Sequence, residues 1–99
     1  MASSNYLINI TGIVQGVGFR PFIYKLASSA HLTGWVRNTS HGVDIELNSN
    51  RQIVDDFINQ INANLPPLAR IDAISVKEIL ETKYDDFQII MSEPQPGEF

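Results

Sequence analysis

Gly12-Ile13-Val14-Gln15-Gly16-Val17-Gly18-Phe19-Arg20 is the stretch on which the reading of this chain turns. It joins a strand to a helix. Upstream, over residues 6–13, Ile8 and Ile10 fall on one face and Asn9 and Thr11 on the other, the period of two expected of a half-buried strand. Downstream, Phe19, Phe22, Ile23, Leu26, Ala27 and Ala30 recur at helical spacing, which gives one apolar helix face. Pro21 suits the first turn of that helix, where a missing N–H costs nothing, and Gly34 reads as its stop.

The connection itself has the makings of an anion site. Glycines permit backbone angles that other residues avoid, so successive N–H groups can converge on one hollow. The helix start adds unpaired N–H groups and the positive end of its dipole. Arg20 supplies a permanent, forked cation. Other phosphate-binding patterns do not match. A Walker loop ends in Gly-Lys-Ser/Thr, whereas Gly18 is followed by Phe19-Arg20; a dinucleotide fingerprint wants Gly or Ala where Pro21 stands. A tight turn with a surface arginine would give the same local sequence, and the loop alone does not separate the two readings.

Working outward, residues 35–38 read as a second strand, and Asn38-Thr39-Ser40-His41-Gly42 as a hairpin connection. Val43, Ile45 and Leu47 alternate with Asp44, Glu46 and Asn48, which predicts a third strand whose polar face is wet and whose carboxylates are solubilising. Ser49 and Gln52 match a capping box for a second helix carrying Val54, Phe57, Ile58 and Ile61 on one side. Pro66-Pro67 ends it. Ile74 and Val76 mark a fourth strand, and Phe87, Ile89 and Met91 a short last one. The order is βαββαβ plus a terminal strand: an α+β, ferredoxin-like sandwich, with an antiparallel sheet and two helices on one face. Residues 6–91 form the domain; 1–5 are expected to be a flexible start and 92–99, rich in Pro and Gly, a linker or an artificial tail.

In this topology the first two strands run the same way with the third between them. The loop after strand one and Asn38 at the end of strand two then share one sheet edge, about 10 Å apart at two interstrand spacings. A lone turn asparagine more commonly bonds its own backbone, so Asn38 is a candidate by position.

Composition narrows the rest. The chain has 99 residues, no cysteine, 43% hydrophobic residues and a net charge of −4. Disulfides, thiol catalysis and cysteine metal sites are excluded, and the balance fits a reducing cytoplasm. The negative charge argues against nucleic acid, and strand three has none of the aromatics an RNA-recognition sheet would present. No apolar run is long enough to span a membrane. No cluster of Asp, Glu and His suggests a metal, and no cofactor is called for. His31 and His41 read as solvated.

The loop motif, together with Gly34-Trp35-Val36-Arg37-Asn38-Thr39 and Gly42-Val43 in register, resembles the acylphosphatase family over residues 6–91. The resemblance implies a phosphate cradle at Gln15, Gly16, Val17, Gly18, Phe19 and Arg20, with Arg20 catalytic and Asn38 positioning the attacking water. Arg20-Pro21-Phe22 and residues 66–72 are similar, more narrowly, to the N-terminal domain of the HypF family, carbamoyltransferases of nickel–iron hydrogenase maturation. That likeness implies an acyl phosphate such as carbamoyl phosphate as substrate, inorganic phosphate as ligand, and downstream domains as partners. A weakly active phosphate-binding or docking module of the same fold is the competing expectation.

Overall fold

The computed structural model describes residues 4–91. The elements are β1 (Ser4–Ile13), α1 (Phe19–Ser29), β2 (Thr33–Asn38), β3 (Gly42–Ser49), α2 (Arg51–Ala63), β4 (Arg70–Ile79) and β5 (Phe87–Ile89). One five-stranded sheet has the order β4-β1-β3-β2-β5. β3 pairs antiparallel with both β1 and β2, so those two strands run parallel to each other across it. Among the described residues no helix is long and apolar enough to cross a membrane.

The register explains the core. The rows Ile8–Ile45–Val36 and Tyr6–Leu47–Gly34 face one way. They pack with Phe19, Ile23 and Ala27 of α1 and Val54, Phe57 and Ile61 of α2 in a single apolar cluster. Burying each large aliphatic side chain there contributes about 1.5–3 kcal/mol, which is why the two amphipathic helices settle on this face. Both helices are where the 3.6-residue repeat places them.

Several local expectations are corrected. α1 stops at Ser29, not near Gly34. His31 adopts a left-handed φ of 57°, its N–H donates to Ser28 O, and Leu32 N–H donates to Ala27 O. That pair of bonds is a Schellman closure with histidine where glycine is usual. Gly34 instead lies inside β2, where a Cβ would sit 1.8 Å from Glu46 O; glycine is there for the close approach of two strands. α2 is capped by Asn50, whose side chain accepts from Ile53 N–H at 3.0 Å, one residue later than the Ser49–Gln52 box. Ser4 and Asn5, expected in a flexible start, belong to β1, and Asn5 is buried. Residues 1–3 and the expected tail 92–99 lie outside the described residues. Met91 lies past β5 and is exposed.

The sheet is mixed, because β5 pairs parallel with β2. β4 and β5 hold opposite edges, so residues 80–86 cross the face away from the helices. That face is not wet as expected. Glu46 is only 8% exposed. Its Oε2 accepts from Asn5 Nδ2 at 2.6 Å and from Tyr84 O–H at 3.0 Å. Trp35 Nε1 donates to the Tyr84 oxygen, and Asn48 Nδ2 bridges Asn5 and Glu81. Asp44 accepts from Asn9 and lies 3.9 Å from Arg37. A buried carboxylate is tolerated only with such partners.

Two predictions follow from these contacts. His31→Gly removes the strain of a left-handed non-glycine residue and should stabilise the fold by about 1 kcal/mol in urea unfolding, with activity unchanged. Tyr84 ionises above the ordinary tyrosine value of 10.0, first because it is desolvated; the hydrogen bond it accepts from Trp35 opposes the rise, and its own bond to Glu46 and that carboxylate's charge add to it. A raised folded-state pKa means stability present below pH 10 that is lost as pH rises through the folded value. Tyr84→Phe should therefore flatten the alkaline limb of a Tm-against-pH curve; an unchanged limb contradicts the assignment.

Candidate active site

Two buried anchors define the loop. Val14 and Phe19 are each 1% exposed, and the Phe19 ring packs 5.7 Å from that of Phe22. Between them the backbone turns sharply. Gly16 and Gly18 have φ of 73° and 77°, and a Cβ added to either meets nothing within 4 Å. Glycine is needed there for its backbone angle, not for lack of room. Gly18 is also the N-cap of α1, and no side chain caps that helix. The first turn closes through Phe22 N–H to Gly18 O, which leaves Pro21 at a position where no donor is missed.

Among the described residues no carbonyl or side chain accepts from the N–H groups of residues 15–18. Uncapped, positively ended and built from consecutive amides, this is the arrangement that holds an oxyanion. Val17 packs on the core and Phe19 lies within it, so what these residues offer an anion is their main chain.

Arg20 is half-buried in the first turn of α1. The chain has four arginines. Arg37, Arg51 and Arg70 each have a carboxylate within salt-bridge distance; Arg20 has none among the described residues. It stands two residues past Gly18, at the helix end of the loop.

Asn38 is the last residue of β2. It shares a row with Val43 and Ile10, both fully buried under the helices, so its carboxamide enters the same side of the sheet as α1. Its Oδ1 is buried and has no hydrogen-bond partner. Arg37, one residue earlier, points to the opposite face, where its guanidinium lies 4.9 Å over the Trp35 ring.

The loop and the hairpin are tied together. Gln15 Nε2 donates to Thr39 O at 2.7 Å and to Gly42 O at 2.8 Å, and Thr39 N–H closes the hairpin on Gly42 O. The residues singled out from sequence thus gather at one sheet edge. The sequence does not show this tie: Gln15 is expected in the cradle through its main chain, and its side chain reaches the hairpin. The one signal was chemical, a lone amide side chain among valines and glycines.

Comparison with known proteins bears on the family and the fold. The family model described as Acylphosphatase matches residues 6–89. The acylphosphatase of Chlorobaculum tepidum is 38% identical over 92 residues, covering 91% of this chain and 99% of that one. The probable carbamoyltransferase HypF of Methanocaldococcus jannaschii is 44% identical over 87 residues, covering 87% of this chain but 11% of that protein. Among solved structures, full-length HypF in the phosphate- and nucleotide-bound form superposes with a TM-score of 0.86 at 41% identity, covering 99% of this chain and 13% of that one. The acylphosphatase from Bacillus subtilis superposes at 0.77 with 32% identity, covering 87% of this chain and 97% of that one. The chain therefore spans about a ninth of the length of the HypF relatives it matches. With the family model matched over residues 6–89 and an acylphosphatase relative covered almost end to end, this chain belongs to the acylphosphatase family of hydrolases.

Proposed function

We propose that residues 6–91 hydrolyse acyl phosphates at this site, that carbamoyl phosphate is the substrate, and that the unit serves as the N-terminal domain of a HypF-like carbamoyltransferase in the cytoplasm, acting in nickel–iron hydrogenase maturation. The observation that carries the reading is the conjunction of an unpaired Arg20 with the partnerless amides of the 15–18 loop. Supporting it is the likeness to a HypF structure described as phosphate-bound.

Little covalent machinery is needed, because an acyl phosphate already carries a good leaving group. The loop amides and Arg20 hold the phosphoryl oxygens and stabilise charge as the in-line transition state forms. Water donates to Asn38 Oδ1 and is aimed at phosphorus. Its oxygen forms the new P–O bond as the bond to the acyl oxygen breaks. The carboxylate or carbamate leaves with the electron pair, and the protons of the water stay on the phosphate product. In a longer chain, carbamate would pass to a later domain.

The competing reading is a phosphate-binding or docking module with little turnover, which the small share of HypF spanned by this chain favours. Hydrolysis of benzoyl phosphate and carbamoyl phosphate by the isolated chain separates the two: turnover above the uncatalysed rate supports the enzyme, and its absence supports the module.

Losing one preorganised donor costs about 3–4 kcal/mol of transition-state stabilisation. Arg20→Ala should lower kcat by at least about a hundredfold and weaken inhibition by phosphate. Asn38→Ala should lower kcat while leaving phosphate inhibition nearly intact. Equal loss of phosphate inhibition in the two variants would contradict the division of roles.

A further inference from the structure

Gln15 differs from every other residue of the loop in what its side chain does. Val14 and Phe19 are buried anchors, Val17 packs on the core, and Gly16 and Gly18 have no side chain to offer. Gln15 alone carries polar side-chain atoms between residues 14 and 18, and its amide nitrogen donates both hydrogens, one to Thr39 O and one to Gly42 O. An amide NH2 has two donors, so none is left for a phosphate. The two acceptors flank the turn that follows Asn38, and one of them, Gly42 O, also accepts the hairpin bond from Thr39 N–H.

We infer that Gln15 is a positioning residue whose side chain acts on Asn38 and not on the phosphate. It staples the end of β1 to the β2–β3 hairpin, so that the loop holding the anion and the strand end holding the asparagine keep one fixed relation. This matters because the Asn38 carboxamide oxygen has no partner of its own, and beyond its paired position at the end of β2 one backbone bond, Thr39 N–H to Gly42 O, closes the hairpin. Strand ends fray, and a hairpin free to open by even an ångström would carry the carboxamide off the line of attack. The staple is also the one side-chain hydrogen-bond link between the two segments among the described residues.

The inference rests on the acyl phosphate reading for its kinetic arm, and a second arm needs no substrate. Gln15→Ala removes the staple; Gln15→Glu keeps the size but replaces two donors with an acceptor facing two carbonyls. Both are compared with Asn38→Ala and with the Gln15→Ala/Asn38→Ala double variant. With benzoyl phosphate, kcat should fall about tenfold in each Gln15 variant, the loss expected of two such hydrogen bonds. The inhibition constant for inorganic phosphate should stay within about twofold, as for any interaction used only to reach the transition state. The double variant should be no slower than Asn38→Ala alone, because a staple has nothing left to position. Additive losses, or weakened phosphate inhibition with kcat retained, would overturn the inference and make Gln15 a ligand.

In the second arm, amide hydrogen exchange at Thr39 should speed by about tenfold in both Gln15 variants while amides of α1 and β4 keep their rates. The side-chain NH2 resonances of Asn38 should shift as well. Unchanged Thr39 exchange overturns the staple whatever the kinetics show. If the wild-type chain has no turnover, the acyl phosphate reading fails, and exchange at Thr39 with the Asn38 resonances decides the staple by itself.

Discussion

β3 pairs antiparallel with β1 on one side and with β2 on the other, and the site exists because of that constraint. It forces β1 and β2 to run parallel, so the chain leaves both at the same edge of the sheet. One exit leads into the glycine turn and α1; the other ends at Asn38. No sequence-local interaction could bring residues 15–20 and 38 together. The pairing does so through backbone hydrogen bonds shared by the whole sheet, and the buried rows beneath the helices lock its register, since a slip of one residue would turn Ile8, Ile45 and Val36 outward.

On that frame the site is made by leaving things unpaired. Native proteins satisfy nearly all their buried polar groups, and on the other face this one mostly does: Glu46 has two donors, Asn5 bridges Asn48 to Glu46, and three of the arginines sit beside carboxylates, although Arg37 Nε is itself buried without a partner. At the exit edge the pattern reverses. The loop amides, Arg20 and the Asn38 oxygen have no partner among the described residues. What sets this edge apart is that the unpartnered groups there are clustered: main-chain donors, a guanidinium and a carboxamide oxygen, all close to the same two strand ends.

How much of this was legible follows from the range of each interaction. Both helices and the strand order rest on period and on glycine or proline punctuation, which are local, and they stood in the sequence. The parallel exits of β1 and β2 follow from the βαββαβ order, and that order is what brings the chain at residue 20 and at residue 38 to the same end of the sheet. What failed was non-local or off by a residue. Glu46 looks solvated in an alternating strand, and only the crossing of residues 80–86 from one sheet edge to the other buries it. The parallel pairing of β5 has the same origin. Gly34 looked like a helix stop because its role depends on the carbonyl of Glu46 opposite, while His31 did the stopping in a conformation its side chain does not advertise. The side-chain bonds of Gln15 are equally invisible, since nothing in the sequence shows that its amide reaches a hairpin 24 residues away, while its main-chain N–H stays with the loop.

The account stands on one claim: the amides of the loop and the Arg20 guanidinium together enclose a tetrahedral oxyanion. A crystal of this chain grown or soaked with phosphate tests it most directly. The account predicts phosphate in contact with the 16–20 amides and bidentate with Arg20, and an ordered water bonded to Asn38 Oδ1. An empty loop at saturating phosphate, or an anion held elsewhere with Arg20 turned to solvent, would contradict it.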